Sequence, residues 1–380
     1  MNRRQLLILV IALVVLGGTG LALFWQDIAA YRSTGAKIGA RLLPELKLAD
    51  VARIELRDAR QAATLARKDN RWVVQERGDY PANFQDISDL LIKLVELKVV
   101  QSESIGDSLL PRVSLAPPPA KPAAEVKDED AKQTGTRIEM KDASGRTLAT
   151  VTVGKVVLKK DPGNPLPNAV NGVPAGRYVK VEGAQNVAVV SDPLDKVHAD
   201  PGKWLDKTFF KADRVKTLAV TREGGPHWKI TRDEEWGQWR FAAGAGTLDP
   251  SAAVAAVNQL ANWTFDDVAV AANEAGGKPV TIVAETFDHL TYTFRISARK
   301  GGDYLLSGNV AGEPPQARTP EKGEKPEDKT RRDKDYAATL KTLQKRLARE
   351  RALSKWTYVM DAKNVAPLLK DRSDLAPPKK

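Results

Sequence analysis

The chain has 380 residues and a formal net charge of +11, with no cysteine and three histidines. Without cysteine there are no disulfides, thiolate nucleophiles, cysteine-type zinc sites or iron–sulfur clusters. Ten basic and three acidic residues fall between Lys329 and Lys355, which accounts for most of the excess charge. Because the remainder is only mildly basic, composition does not indicate a general nucleic-acid-binding surface.

The amino terminus carries a long apolar run. Leu6–Trp25 contains one polar side chain, Thr19, and it follows Arg3 and Arg4. A helix of about 20 residues spans the roughly 30 Å hydrocarbon core of a bilayer, so residues 1–30 are predicted to form a membrane anchor. A cleaved signal peptide is the alternative. Long downstream domains translocate largely regardless of loop charge, so we expect the bulk of the chain outside the cytoplasm.

Two small residues, Gly18 and Ala22, lie four positions apart on one face of the predicted anchor helix. This spacing lets a neighbouring transmembrane helix approach closely. Gly18 and Ala22 are therefore candidate helix-contact residues, although the pattern is also common by chance in apolar segments.

Behind the anchor, the chain carries one pattern twice. Residues 86–100 align without a gap onto residues 249–263 at an offset of 163, and VARIEL at 51–56 matches VKTLAV at 215–220. A duplicated unit of this size suits two tandem domains of like fold, over the ranges 48–205 and 213–370. The helical alignment pairs three apolar positions: Leu91 with Val254, Leu94 with Val257, and Leu97 with Leu260.

Within each repeat, strand-like segments come before a helical one. VARIELRD alternates apolar and polar residues as a half-buried strand does, and TLARKDNRWVV predicts a hairpin that turns at Asp69-Asn70. Apolar residues at helical spacing follow from Ile87. The predicted fold class is α+β: two tandem related domains of antiparallel sheet with a packed amphipathic helix, preceded by one transmembrane helix.

Two tracts interrupt the repeats. Residues 111–135 are rich in proline, alanine and charge, and residues 312–334 are similarly poor in apolar side chains. Such composition buries too little apolar surface to order itself, so both tracts are predicted to be disordered. The later segment WTYVMDAKNVAPLLK is expected to close the second repeat as the first closes, with Tyr358 over Tyr178.

A basic helix is predicted over residues 336–353. Its apolar stripe consists of Tyr336, Leu340, Leu343 and Leu347. A helix laid on the second domain with a solvated basic face is one interpretation, and contact with an acidic partner or anionic lipid headgroups is the other. The candidate contact residues are Lys341, Lys345, Arg346 and Arg349.

The motif search indicates no chemistry. A phosphate-binding loop of the form GxxxxGK[ST] and a GxSxG nucleophile elbow are both missing, and the three histidines are isolated. No catalytic, cofactor-binding or metal-ligating residue is therefore predicted. Trp228 and Trp236 flank a predicted hairpin, where an exposed ligand platform is the alternative to a packing role.

One succession of motifs carries a resemblance. Trp72-Val73-Val74, then Tyr80-Pro81-Ala82 and a helix, then GRYVKVEGAQNVAVVSDPLDKV from Gly176, resembles the domain of unknown function 4340 family. The resemblance covers most of the chain outside the anchor and the tracts, but the second copy lacks a Tyr-Pro-Ala equivalent. It implies a membrane-anchored protein found alongside ABC transporters of the gliding-motility type, as an auxiliary component, and it implies no reaction.

The expected function is that of a non-catalytic, membrane-anchored, extracytoplasmic auxiliary or binding subunit of an ABC-type transport complex. The expected location is the bacterial inner membrane, with the bulk of the chain in the periplasm. The expected partners are the membrane and an ABC permease or another membrane protein, with no nucleic acid, nucleotide or cofactor. Two alternatives stay open, namely a stand-alone cell-envelope ligand-binding or structural protein, and a hydrolase of envelope polymers.

Overall fold

The computed structural model describes residues 38–159, 173–222, 227–270, 275–321 and 323–377. The chain divides into two compact units between Trp204 and Leu205. No helix among the described residues is both long and apolar enough to cross a membrane. The predicted anchor, with its candidate contact residues Gly18 and Ala22, lies outside the described residues.

The first unit is a nine-stranded antiparallel sheet with one long helix, α1 (Phe84–Glu96), and one short helix, α2 (Asp128–Gln133). Its strands are β1 (Arg53–Arg57), β2 (Ala62–Lys68), β3 (Arg71–Val74), β4 (Tyr80–Pro81), β5 (Val99–Glu103), β6 (Thr136–Lys141), β7 (Thr147–Lys159), β8 (Val173–Val181) and β9 (Val187–Val190). Single turns of 3-10 helix lie at Leu48–Asp50, Gln75–Arg77 and Pro201–Trp204, and a longer one spans Asp107–Val113. The strand order is β4-β3-β2-β1-β6-β7-β8-β9-β5.

The second unit is an eight-stranded antiparallel sheet with helices α3 (Pro250–Ala261), α4 (Pro326–Leu353) and α5 (Ala362–Val365). Its strands are β10 (Val215–Arg222), β11 (His227–Thr231), β12 (Arg240–Phe241), β13 (Asp267–Val268), β14 (Ala275–Thr286), β15 (Leu290–Arg299), β16 (Tyr304–Gly312) and β17 (Tyr358–Met360). Turns of 3-10 helix lie at Ala366–Leu368 and Arg372–Leu375. The strand order is β12-β11-β10-β14-β15-β16-β17-β13.

The two sheets share one topology. Strands β1 to β3 take the places of β10 to β12, β6 to β9 take those of β14 to β17, and the edge strand β5 takes that of β13. Strand β4, which is the Tyr80-Pro81 segment, has no counterpart in the described part of the second sheet. The predicted α+β class with antiparallel sheets is therefore confirmed.

Local turn chemistry follows the sequence closely in the first hairpin. Asp69 and Asn70 both have positive φ, at 46° and 60°, between strands β2 and β3. Two successive left-handed residues form the tight hairpin turn that fits the twist of the flanking strands, and asparagine and aspartate tolerate that conformation. The predicted turn is confirmed.

The helices of the two units match at a different register from the sequence alignment. Asn83 and Asp249 cap α1 and α3 by accepting backbone N–H groups through their side chains, which sets an offset of 166 residues. At this offset the buried side chains correspond: Ile87 with Ala253, Leu90 with Ala256, and Leu94 with Leu260. Val254 is 46% exposed and Val257 is half-buried. The predicted offset is wrong by three residues, because a shift close to one helical turn keeps the apolar stripes aligned.

The tract at residues 111–135 is ordered, contrary to the prediction. Leu115 is buried, and it forms a small core with Leu110 and Val187. Gly154 permits this packing, because a Cβ atom there would come within 2.5 Å of the Val113 carbonyl oxygen and 2.7 Å of Leu115. Farther along, the tract forms α2. The composition of the tract did not indicate that it is ordered, because its few apolar side chains pack against strands that are distant in sequence.

The second tract is also largely ordered, contrary to the prediction. Strand β16 runs to Gly312, and α4 begins at Pro326, ten residues before the predicted helix start. Proline suits the first turn of a helix, and the acidic Glu327 and Asp328 favour its positive end. In the segment between β16 and α4, Arg318 donates to Glu324 at 2.7 Å, and both side chains are largely buried. The many charged residues of this segment did not indicate the start of the helix, which Glu327, Asp328 and the Arg318–Glu324 pair stabilise.

The expected equivalence between the closing segments is wrong. Tyr358 lies in β17, which occupies the position of β9 in the sheet, whereas Tyr178 lies in β8. Asn364 and Val365 belong to α5 rather than to a strand. The shared Tyr-Val and Asn-Val dipeptides are therefore similar in sequence but not in sheet position.

Candidate functional site

Helix α4 buries side chains only in its last two turns. Leu347, Glu350 and Leu353 are buried there. The earlier members of the predicted stripe, Tyr336, Leu340 and Leu343, are half-buried. The helix has 28 residues and is therefore about 42 Å long. The amphipathic pattern continues beyond the part of the helix that the core covers.

An open groove of about 750 Å³ runs along this uncovered part of α4. We call it the α4 groove. Leu340, Leu343 and the ring of Tyr336 supply apolar wall, and the Tyr336 hydroxyl donates to the Pro315 carbonyl oxygen at 2.6 Å. The remaining walls come from the segment before β10, the turn before β15 and the loop after β16: Asp213, Arg214, Asp288, Pro314 and Arg318.

The charged groups on the groove walls are paired with one another. Arg214 makes two hydrogen bonds of 2.8 Å to the carboxylate of Glu235 and a further one to Asp288. These bonds favour the charged forms, so the pKa of Glu235 lies below its ordinary value and that of Arg214 lies above it. Arg346 donates to Asp213 at 2.7 Å. Such walls suit a ligand or segment that binds through apolar contact.

The structure separates the four predicted contact residues into two pairs. Lys341 and Lys345 are exposed, one helical turn apart, and no ion pair to another described residue involves them. Arg346 is turned toward Asp213, and Arg349 donates to Asp206 at 2.8 Å. Two cations of the predicted four are thus oriented to solvent, while the other two fasten α4 to the segment before β10.

A buried polar cluster holds the last turns of α4. Glu350 is 1% exposed, and its Oε2 lies 2.9 Å from the hydroxyl oxygen of Tyr292 on β15. The Lys211 backbone N–H donates to Oε1 at 3.2 Å. Burial raises the pKa of Glu350, and despite the opposing effect of these bonds it stays raised. Burial likewise raises the pKa of Tyr292, with the nearby Glu350 adding to the effect.

Sequence reasoning missed this cluster, although one signal was present. Glu350 is the sole acidic residue between Tyr336 and Leu353, and it lies three positions after Leu347 on the buried side of the helix. An acid on the apolar face of a basic helix indicates a buried partner. The sequence does not show that the partner is Tyr292, which lies 58 residues earlier.

The tryptophans of the predicted platform differ in exposure. Trp228 is 2% exposed and donates from Nε1 to the Lys370 carbonyl oxygen at 2.9 Å, so it packs in the core of the second unit. Trp236 is 92% exposed. Near it, Asp233 and Arg240 form an exposed ion pair at 2.7 Å. A two-tryptophan platform is therefore wrong, and a single exposed indole remains.

The first unit has a smaller apolar groove, of about 310 Å³, between α1 and the β2–β3 hairpin. Phe84 at the start of α1 is 65% exposed, and Ile92 is 42% exposed. The side chains of Leu48 and Trp72 complete the apolar lining. Among the described residues of either unit, no three histidine, aspartate or glutamate side chains converge as a metal site requires.

Comparison with known proteins gives one match. Residues 169–281 match the family described as Domain of unknown function (DUF4340). This confirms the resemblance over that span, which includes the GRYVKVEGAQNVAVVSDPLDKV segment but not the Trp72 and Tyr80 motifs. No curated protein and no solved structure matches the chain significantly.

Proposed function

From the family match as premise, we propose that the chain is a membrane-anchored, extracytoplasmic binding subunit of an ABC-type transport complex, without a reaction of its own. In this proposal Leu6–Trp25 spans the bacterial inner membrane and both units lie in the periplasm. The hydropathy and length of that run support the anchor, and Arg3 and Arg4 before it support an inside amino terminus.

The observation that carries the binding role is the divided character of α4. Its last two turns, from Leu347, are fixed to the sheet, while the preceding turns present a half-buried apolar stripe and the exposed Lys341 and Lys345, which form no ion pair with another described residue. Apolar side chains at helical spacing are one way in which a helix binds a protein partner, and exposed cations beside them favour an acidic surface. An acidic surface of a transporter component is the partner that this face fits.

The anchor contributes a second contact in the proposal. Gly18 and Ala22 let a permease helix pack closely against the anchor within the bilayer. Replacing Gly18 by Leu is expected to reduce co-purification with the permease, because the larger side chain separates the helices. Leu7→Ala is the matched control, since it changes the same helix without filling the small-residue face.

Co-purification of the full-length protein from gently solubilised membranes tests the central claim. We expect an ABC permease in the eluate, and we expect the double variant Lys341→Glu, Lys345→Glu to reduce its recovery at low salt. The control variant Lys229→Glu, Lys300→Glu reverses two exposed charges of the same unit away from α4. An eluate without transporter components, or equal losses from both variants, contradicts the proposal.

The α4 groove favours a second candidate, a stand-alone envelope protein that binds an amphiphilic small ligand. A groove of about 750 Å³ with apolar walls is of the size that small-molecule sites have. Titration with the apolar dye anilinonaphthalene sulfonate would then saturate at one site. Leu343→Arg should abolish that site, whereas Val254→Arg on the exposed face of α3 should leave it unchanged.

A further inference from the structure

The first unit carries an insertion that the second unit lacks. Strands β5 and β6 are joined by residues 104–135, whereas their counterparts β13 and β14 are joined by residues 269–274. The insertion contains the 3-10 helix Asp107–Val113 and helix α2. Because the second sheet forms without such an insertion, the shared strand order does not require it.

A concavity of about 740 Å³ lies where the insertion packs on strand β7. We call it the basic pocket. Arg112 reaches it from the 3-10 helix, Lys132 from the end of α2, and Lys155 from β7. None of the residues that line it is acidic, and hydroxyl and amide groups from Ser108, Ser114 and Gln133 complete its polar lining.

A β-bulge in β7 sets the position of Lys155. Val153 pairs with Val179 and Val156 pairs with Arg177, so β7 has one residue more than β8 between these two pairs. A bulge of this kind interrupts the alternation of side chains and redirects one of them. The Arg177 side chain holds the bulge by donating from Nε to the Gly154 carbonyl oxygen at 2.7 Å. Lys155 follows Gly154 directly and is exposed at the pocket.

Backbone contacts fix the insertion beside this bulge. A Cβ atom at Gly154 would come within 2.5 Å of the Val113 carbonyl oxygen, so the chain next to Arg112 approaches β7 closely. The Ser114 hydroxyl donates to the Lys132 carbonyl oxygen at 2.6 Å. The three cations, which lie far apart in sequence, are therefore held around one concavity by defined contacts.

The positive charge of the basic pocket is not compensated within the structure. No ion pair joins any of its three cations to another described residue. The first turn of α2 contains acids, but none of them lines the pocket, and Asp128 is bound to Arg60. A concavity lined by charges of one sign concentrates counter-ions, and an anion bound there offsets the repulsion between the cations.

We propose that the basic pocket binds the phosphate group of a small, polar phosphomonoester. Such a group carries a charge of about −2 at neutral pH and has three strong acceptor oxygens. Arg112 would bind two of these oxygens through its planar guanidinium, and Lys132 and Lys155 would act as point charges. A carboxylate or a phosphodiester carries a single negative charge and would compensate the three cations less well.

The size and lining of the pocket indicate a ligand larger than the phosphate alone. A volume of about 740 Å³ is in the range of small-molecule sites, and the Ser108 hydroxyl and Gln133 amide suit a polar remainder. This site does not depend on the proposed function, because it lies within the first unit and uses neither the anchor nor α4.

Isothermal titration calorimetry of the full-length protein in detergent tests the site, with sodium chloride adjusted so that ionic strength stays constant. We expect glycerol 3-phosphate to bind at one saturable site and inorganic phosphate to bind more weakly. Glycerophosphoglycerol, the soluble headgroup of a phospholipid, should bind more weakly than glycerol 3-phosphate. Undetectable glycerol 3-phosphate binding overturns the proposal, and equal or tighter binding of either other probe overturns the assignment to a phosphomonoester.

Single substitutions locate the binding site. Arg112→Gln, Lys132→Gln and Lys155→Gln should each weaken glycerol 3-phosphate binding by about tenfold, as expected for the loss of a charged hydrogen-bond donor. These side chains are exposed, so thermal unfolding of the variants should be unchanged. Lys121→Gln is the matched control, because it removes an exposed cation of the same insertion that does not line the pocket. An equal loss in the Lys121→Gln protein, or full binding by the three pocket variants, contradicts the proposal.

Discussion

The two units have one strand order but fill their cores differently. In the first, aliphatic side chains such as Ile54, Leu65 and Leu94 dominate. In the second, α3 contributes the small Ala253 and Ala256, and aromatic rings from other segments occupy the interior. These rings form a contact network with centroid separations down to 4.6 Å: Phe209, Phe210, Trp263, Phe265, Phe294 and Tyr358.

This difference shows that one strand order can enclose cores of different side-chain composition. A large helix side chain in one unit is balanced by strand and loop side chains in the other, since cores tolerate redistribution when total volume is kept. The same applies to charge. The first unit carries a partly exposed network in which Lys141 bridges Glu55 and Glu139, whereas in the second unit an acid of α4 is buried against β15.

The largest effect should come from shortening the one large residue that both helices bury. Leu94→Ala and Leu260→Ala each remove a fully buried side chain, and each should cost about 2–5 kcal/mol in its own unit. Denaturant unfolding with a probe in each unit measures this. The exposed Ile92→Ala and Val254→Ala are the controls. A loss at Val254 equal to that at Leu260 would restore the offset of 163 and break the structural correspondence.

Replacing glycines that lie close to other atoms should give the next largest effect, and the two units should differ in how much stability they lose. Gly154→Ala places Cβ against a backbone oxygen at 2.5 Å, whereas Gly308→Ala meets the rings of Phe294 and Phe210 at 2.8 and 2.9 Å. Overpacking costs about 1–3 kcal/mol, and the backbone obstacle should give the greater loss. Thermal unfolding of both variants checks this order. Gly106→Ala, with no atom within 4 Å, should be close to neutral.

The helix caps predict a difference in acid sensitivity. Asn83 has no charge to lose, so Asn83→Ala should cost about 1 kcal/mol at neutral pH, and this cost should depend on pH less than that of replacing Asp249. Hydrogen bonds from the Ser251 side chain and backbone lower the pKa of Asp249, so its contribution is lost as the pH falls through that lowered value. Circular dichroism between neutral and acid pH should show that Asp249→Asn removes this loss. An unchanged acid profile contradicts the assigned cap role.

The smallest expected effect concerns the charged network of the first unit. Glu55→Gln should cost up to about 1 kcal/mol at neutral pH, because the ion pairs are partly solvated. Because the pKa of Glu55 is lowered, its contribution to stability should be lost as the pH falls through the folded pKa. The pKa of Glu350 is raised, so its contribution should instead be lost as the pH rises. Stability curves of Glu55→Gln and Glu350→Gln against pH check this contrast, and parallel curves would refute it.

The sequence by itself determined the features that depend on neighbours along the chain. Period and turn chemistry at Asp69-Asn70 predict the first hairpin, alternation in VARIEL predicts a half-buried strand, and helical spacing predicts that Leu94 is buried. The duplication was visible because both copies keep the same order of such local patterns.

Only the tertiary structure decided the features that depend on distant partners. The register of α3 follows from its Asp249 cap and the rings that fill the space beside its alanines, and a shift of about one turn leaves the sequence pattern almost unchanged. Residues 111–135 are ordered by contacts with Gly154 and Val187. In the sequence, Glu350 is one acid in a basic helix. Folding buries it against Tyr292, and burial, which composition does not show, raises the pKa of its carboxyl group.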